Sequence, residues 1–442
     1  MRKLLTFFLL LPLFANAQQN YSPLLNQYLQ SQTNVYEFSG AVLVAQKGKI
    51  IYKNAFGLAN KEWNISNTVL TKFRIGSLTK QFTATAILQL AEAGKLNLGD
   101  KLSKYIPDFP KGDSVTLHML LNHTSGIKSY TNMANFSSVE TLPFTKDSVI
   151  GFFKKEPYEF SPGTKYRYNN SGYFLLGYII EKVSGQTYNN YILSNLIKKA
   201  GLNNTSVNQL DSILIGRAEG YRKAEAGWKH AEYISMEFPY SAGAIVSTIE
   251  DLYQWNKALF GGKIISSTMM DKMTTPYLNK YGYGLRIDSF QNHKRIGHSG
   301  GIPGFVSYNV YYPTEDIQIV VLSNNSSNSS AIAEALAAIL FDNEVIAPYK
   351  HVEIKMDSKD LTKYVGKYEF NGSLIELVIK NDKLYRRVNL TDIELKPESI
   401  HKFFFADGSD RQLEFIVDKN NTITTAKLIS YGVPSVLKIL PK

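Results

Sequence analysis

Hydrophobic and polar positions follow two different rhythms along this 442-residue chain. Ala41-Val42-Leu43-Val44 and Ile50-Ile51-Tyr52 flank a Lys47-Gly48 turn, so Gly40 to Gly57 reads as a hairpin after a short helical stretch. Beyond Ser77 the period lengthens. Phe82, Ala86, Leu90 and Ala93 fall on one helical stripe with Ile87 beside it, and Gly94 supplies the stop. Residues 95 to 240 mix helices and loops, including an apolar helix from Gly172 to Val183 that ends near Gly185. Ser247-Thr248-Ile249-Glu250 opens another helix with capping-box spacing. Strand patterning returns over Tyr281 to Ile287, Val306 to Tyr312 and Ile317 to Leu322, the last two joined by a Pro313-Thr314-Glu315-Asp316 turn. The Asn/Ser run from Asn324 to Ser330 leads into and caps a helix from Ala331 to Phe341.

From about Val352 the rhythm shortens again. Val365 to Phe370, Ile375 to Val388 with a turn at Asn381-Asp382, Phe403 to Ala406, and Leu413 to Ile429 broken at Asn420-Asn421 read as successive strands. A small β-sandwich or barrel fits them. No fixed-period repeat is present. An early strand pair, a helical middle, returning strands and a last helix predict an α+β core whose sheet is closed by distant segments. The expected division is a signal peptide over 1–17, a core domain over 18–345 and a β-rich domain over 352–442, with the linker near 342 to 354.

Composition narrows the setting. Arg2 and Lys3, the apolar run Leu4 to Phe14 and the small-x-small site Ala15-Asn16-Ala17 have the order of a secretory signal cleaved before Gln18. The run is short for a membrane span. The expectation is a secreted protein without a membrane anchor after cleavage, periplasmic in a Gram-negative source. There are no cysteines, which removes disulfides, thiolate metal sites and cysteine nucleophiles. The formal charge is +11, or +9 without Arg2 and Lys3, and the lysines are dispersed. Dispersed charge fits a basic surface rather than a nucleic-acid site, which needs a dense patch.

Three segments carry candidate chemistry. Ser77-Leu78-Thr79-Lys80 sets a hydroxyl and an amine on one face of a helix start. A serine hydroxyl becomes a nucleophile when a neighbour takes its proton, and a lysine can do so when its surroundings hold it neutral. The same spacing recurs at Ser125, Ser399 and Ser435, but only Ser77 precedes strong helical patterning. The second segment is Tyr168-Asn169-Asn170, after a Pro162-Gly163 turn and before an apolar helix. A phenol beside an ammonium can relay a proton, and a carboxamide can both donate and accept. Tyr-x-Asn also occurs at Tyr52, Tyr130, Tyr188 and Tyr277, so setting rather than spacing selects Tyr168. The third is Gly297-His298-Ser299-Gly300-Gly301-Ile302-Pro303-Gly304, whose glycines allow a close substrate approach and an N–H aimed at an oxyanion.

In this order the three segments resemble the motifs of the serine β-lactamase and penicillin-binding-protein superfamily, in particular its class C β-lactamase-related branch. Leu120 to Ile127 and Ser241 to Ser247 match further family stretches, and the resemblance spans roughly residues 30 to 341. It implies an antiparallel sheet flanked by helices with an all-helical subdomain, to which the C-terminal all-β domain is added. It implies that Ser77 forms an acyl-enzyme, with Lys80 and Tyr168 sharing the proton transfers and either one as base. Asn170, His298, Ser299 and Gly300 would bind substrate, and the N–H groups of Ser77 and Gly301 would form the oxyanion hole. His123 is expected to be structural. No metal or organic cofactor is implied. The implied reaction is cleavage of an ester, D-amino-acid peptide or β-lactam, with small-molecule or peptide substrates of cell-wall origin. The alternative is a binding protein that is acylated without turnover. One departure stands out: many relatives carry Lys where this chain has His298, and a neutral histidine suits a β-lactam carboxylate less well than an ester or D-peptide.

Overall fold

The computed structural model describes residues 20–441 apart from 210, 371, 389 and 390. The expected signal peptide, residues 1–17, and its junction before Gln18 therefore lie outside the described residues. The core is a six-stranded antiparallel sheet built from the two ends of its domain. Strands β1 (Gly40–Gln46) and β2 (Lys49–Phe56) come from the early hairpin. Strands β3 (Arg286–Phe290), β4 (His293–Ile302), β5 (Phe305–Tyr312) and β6 (Ile317–Ser323) come about 230 residues later. The order is β3-β4-β5-β6-β1-β2, and β6 closes on β1 through Gly40↔Ser323 to Gln46↔Ile317.

The apolar run of β1 is explained by burial on both faces. Ala41, Leu43 and Ala45 join Val320 and Leu322 in the cluster shared with the helical region. Val42 and Val44 join Ile319 and Val321 against the other helical layer. That outer layer is α1 (Ser22–Tyr36) and α5 (Ser329–Leu340), with Leu25, Leu29, Ile332 and Leu336 turned inward. On the inner face lie α2 (Thr79–Glu92), α3 (Asn170–Ser184) and α4 (Ile249–Phe260). Asn328 caps α5, accepting from the Ala331 N–H at 3.2 Å.

Two local readings shift. The cap of α4 is Thr248, which accepts from the Asp251 N–H at 3.2 Å, one residue later than the Ser247 spacing predicts. Ser247 is instead the end of a short strand, Ile245–Ser247, paired with Phe73–Arg74. The strand expected from Tyr281 begins at Arg286, because residues 282 to 285 close on themselves, with Gly282 N–H donating to Leu285 O at 2.8 Å.

The C-terminal strands form a closed eight-stranded barrel: β7 (Gly366–Phe370), β8 (Ser373–Lys380), β9 (Lys383–Val388), β10 (Thr391–Ser399), β11 (Lys402–Phe405), β12 (Arg411–Val417), β13 (Ile423–Ser430) and β14 (Val433–Ile439). Alternate residues such as Leu377, Phe403, Phe415 and Leu437 fill its interior, as expected for a barrel of this size. It docks on the outer layer, far from the three motifs in the fold. Tyr28 donates to Tyr431 O at 3.0 Å, Gln32 and Tyr36 reach the Asp410 carboxylate, and Val433 joins the α1/α5 cluster.

Candidate active site

A 3-10 turn, Gly76–Leu78, feeds directly into α2, so Ser77 sits at the mouth of the helix and Lys80 one turn inside it. Lys80 is fully buried at 0 % exposure. Its Nζ lies 3.0 Å from Ser77 Oγ and donates to Asn170 Oδ1 at 2.8 Å and to the Ala242 carbonyl at 2.9 Å. It makes no ion pair among the described residues. Burial without a counter-charge holds its pKa well below the ordinary 10.5. The rings of Tyr168 and Tyr173, 4.9 and 5.5 Å from Nζ, offer the charged form a weaker compensation.

Helix α3 supplies the second motif. Asn169 caps it, accepting from Gly172 N–H at 2.8 Å, which places Asn170 in the first turn facing Lys80. The Asn170 Nδ2 donates to Thr131 Oγ1 at 3.1 Å and its backbone N–H to Ser129 Oγ at 3.1 Å, so the amide is oriented from both sides. The Tyr168 hydroxyl is buried and makes no hydrogen bond of ordinary geometry. Burial raises its pKa, and the nearby Ser77 opposes that rise. Tyr168 is therefore a neutral phenol in the resting site. The buried His123 ring packs 4.4 Å from the Tyr168 ring and its Nδ1 accepts from the Asn169 N–H at 3.1 Å.

The third motif is a strand edge rather than a turn. β4 pairs with β3 only as far as Arg286↔Gly297, so residues 298 to 302 keep one edge open toward Ser77. That edge comes very close to the serine. Gly76 adopts φ +52°, and a Cβ there would lie 2.8 Å from Gly301 N. This glycine contact sets the N–H groups of Ser77 and Gly301 on the same small region. Ser299 and Gly301 are exposed on the cleft.

His298 is 6 % exposed. Its Nδ1 lies 2.5 Å from Ser299 O and its Nε2 2.8 Å from the Tyr281 hydroxyl. A neutral ring satisfies both contacts, with Nδ1–H donating and Nε2 accepting. Burial, then the Lys80 charge, pushes its pKa down to about 3. Next to it a cavity of about 150 Å³ is lined by Tyr166, Tyr281, Arg286 and Arg295. Both arginines are paired with Asp288, at 3.0 and 2.6 Å. Size does not mark the chemistry: cavities of about 930 and 1110 Å³ contain no motif residue.

A family model for Beta-lactamase matches residues 25–342. The chain belongs to the Beta-lactamase family. With it the chain joins the penicillin-binding-protein-like serine hydrolases. The Bacillus subtilis protein PbpX, a penicillin-binding protein by name, is 33 % identical over 308 residues, covering 69 % of this chain and 75 % of its own. The penicillin-binding protein of Bacillus halodurans has a TM-score of 0.66 at 32 % identity, over 71 % of this chain and 99 % of its own. The octameric penicillin-binding protein homologue of Pyrococcus abyssi has a TM-score of 0.66 at 28 % identity, over 94 % of this chain and 99 % of its own. The match to the last extends past the core domain into the barrel.

In this β-lactamase-family chain, seven of the eight residues singled out from sequence (Ser77, Lys80, Tyr168, Asn170, His298, Ser299 and Gly301) gather between α2, α3 and β4, whereas Gly300 is buried, where a Cβ would meet Ile75 O at 2.0 Å. Sequence reasoning missed their partners. The Ala242 carbonyl acts through the main chain, although Ser241 to Ser247 is a stretch that matches the family. Ser129 and Thr131 lie just beyond the Leu120 to Ile127 stretch. Tyr281 and Arg286 had no signal beyond lying in a reading of strand.

Proposed function

We propose that the chain is an exported serine hydrolase that cleaves an ester, a D-amino-acid peptide or a β-lactam through an acyl-enzyme on Ser77. The observation that carries this reading is the hydrogen bonding of Lys80. A neutral amine has two N–H donors and one lone pair. Asn170 Oδ1 and the Ala242 carbonyl take the two donors, which leaves the lone pair for the Ser77 hydroxyl at 3.0 Å. When Nζ takes the serine proton, the ammonium still has three acceptors around it. One set of contacts thus serves both protonation states of a shuttle.

The steps follow from these positions. Ser77 Oγ bonds to the substrate carbonyl carbon as its proton passes to Lys80. The carbonyl oxygen becomes an oxyanion, stabilised by the N–H groups of Ser77 and Gly301. Tyr168, a phenol kept protonated by burial, gives its proton to the leaving amine or alkoxide as that bond breaks, and regains one from Lys80. Water then attacks the acyl carbon, with its proton taken by the same base, and releases the acid and Ser77. Lys80 is the base in this scheme and Tyr168 the acid. Asn170, held between Lys80 and Thr131, borders the substrate amide, and the open edge at 298 to 301 receives the substrate backbone. The neutral His298 favours ester and D-peptide substrates over β-lactams. The reading of the first seventeen residues as a signal supports an enzyme of the periplasm or the cell exterior, acting on substrates of cell-wall origin.

A fluorophosphonate or a labelled penicillin should acylate the protein, and Ser77→Ala should abolish the labelling. Labelling unchanged in Ser77→Ala rejects Ser77 as nucleophile. Steady turnover of a p-nitrophenyl ester or a D-alanyl amide supports the enzyme; one-time labelling without turnover supports a binding protein instead.

A further inference from the structure

A second pocket, of about 470 Å³, lies at the other end of the β4 edge from His298. Pro303 and Phe305 form one wall, and Asn208, Gln209, Arg74 and Arg217 form others. Arg74 is three residues before Ser77, in the short strand that pairs Arg74 with Val246. Pro303 is two residues after Gly301, a reach of about 7 Å along a strand. The pocket therefore adjoins the segments that lead into Ser77 and out of Gly301, through Arg74 and Pro303.

Its ion pairs leave Arg74 out. Arg217 pairs with Glu219 at 3.1 Å, Glu232 faces Arg222, and His230 lies 2.6 Å from Glu62. Arg74 has no ion pair among the described residues. Its nearest fixed partner is the Asn208 amide, which in its satisfied orientation accepts from Arg74 Nε at 3.3 Å. Burial, with Arg217 as a like charge beside it, lowers the Arg74 pKa to about 10. A partly buried guanidinium with every neighbouring carboxylate already engaged lacks an anion, and its planar donors match a carboxylate.

The direction of the substrate says which part would meet it. Tyr168 delivers the leaving group's proton, and its ring lies 6.0 Å from His298, so the leaving group exits at that end. The acyl portion then runs along the edge toward Pro303. We propose that the Arg74 pocket is a subsite for a carboxylate carried on the acyl side of the substrate, an inference that rests on the Ser77 acyl-enzyme reading. The preferred acyl donors are half-esters or half-amides of short dicarboxylic acids, or acyl groups with a free carboxylate a few bonds from the scissile carbonyl.

The test compares p-nitrophenyl hydrogen glutarate with p-nitrophenyl valerate, which share a five-carbon acyl chain and differ in the terminal carboxylate. The full-length wild type should favour the glutarate half-ester at least tenfold in kcat/KM, and the preference should shrink as salt rises. Arg74→Gln should reduce that ratio at least tenfold, with Arg74→Lys between the two. No preference in the wild type, or the same ratio in Arg74→Gln, overturns the proposal. So does loss of the preference in Arg286→Gln with retention in Arg74→Gln, which moves the anion to the His298 end. Glutarate binding to Ser77→Ala, followed by calorimetry, reads the subsite without turnover and should weaken at least tenfold in Ser77→Ala/Arg74→Gln. If neither ester is turned over but glutarate binding still depends on Arg74, the hydrolase reading fails and the anion site stands. Glutarate binding that is absent or indifferent to Arg74 overturns the site.

Discussion

Replacing Lys80 with methionine isolates one proton. The two side chains have similar length, and the variant removes an amine that is 0 % exposed and has no counter-ion among the described residues. The change has two parts. The Asn170 Oδ1 and Ala242 carbonyl lose their donor, a cost of about 1–3 kcal/mol for each buried acceptor that does not vary with pH. The amine's own contribution does vary. Its folded pKa lies well below the ordinary 10.5, so between the two values the unfolded chain carries a proton that the folded chain lacks. Unfolding then takes up a proton, and wild-type stability rises with pH across that window. Below the folded pKa both states are protonated and the full burial penalty is present; above 10.5 neither is, and it is gone. The difference in unfolding free energy between wild type and Lys80→Met should therefore climb by about 1.4 kcal/mol per pH unit inside the window and be flat below it. Urea unfolding of both proteins from pH 6 to pH 10 measures it, because the other titrating groups largely cancel in the difference. The pH at which the climb begins should also be the pH at which wild-type acylation rises, and Lys80→Met should acylate at least about a hundredfold more slowly. A difference that stays constant from pH 6 to pH 10 would mean that the amine keeps its ordinary pKa, and Lys80 could not then be the base.

Two further perturbations probe the cleft. Gly76→Ala places a Cβ at φ +52° within 2.8 Å of Gly301 N, so it should cost about 1–2 kcal/mol for the left-handed backbone alone and lower kcat at least tenfold by parting the two oxyanion N–H groups; unchanged kcat by steady-state assay would refute that placement. His298 has a folded pKa of about 3 against an ordinary 6.5, so only the unfolded state gains its proton between those values and wild-type stability falls as pH drops through them. Relative to wild type, His298→Asn should lose less stability from pH 6.5 to pH 3, by at most about 5 kcal/mol in urea unfolding; parallel pH curves for the two proteins would refute a buried neutral histidine.

What could be read in the sequence depended on whether a feature is local. The Ser77 turn, the stripe of α2 and the cap of α3 are each set within one or two turns of helix, and local pattern is enough to place them. The hairpin at Gly40 and the strands after Val306 are equally local, but their joining is not: β1 pairs with β6 across 271 or more residues of chain, and only the unbroken apolar run of β1 hints at a strand beside it. In the barrel, Thr391–Ser399 carries little strand pattern because it is polar and contains Pro397, which the sheet tolerates at the register shift between Pro397 and Ser399. Closure is invisible for a different reason, since it rests on two residue pairs, Tyr368↔Ile439 and Glu369↔Lys438, between the first strand and the last.

The same distinction separates the two ends of the cleft. Ser77, Lys80 and Tyr168 have side chains whose chemistry announces them, and the spacing needs only to be recognised. Arg74 has no such spacing, and in a chain with 49 lysines and arginines one more carries no information. What distinguishes it is what its neighbours are doing. Glu219 and Glu232 are already committed to Arg217 and Arg222, and Glu62 to His230. An unbalanced charge is a property of a neighbourhood, so it exists only after the chain has folded. Uncompensated burial has opposite uses in this cleft. At Lys80 the amine can lose its proton and so become a base. At Arg74 the guanidinium keeps its proton at any physiological pH, and only an arriving anion can balance it.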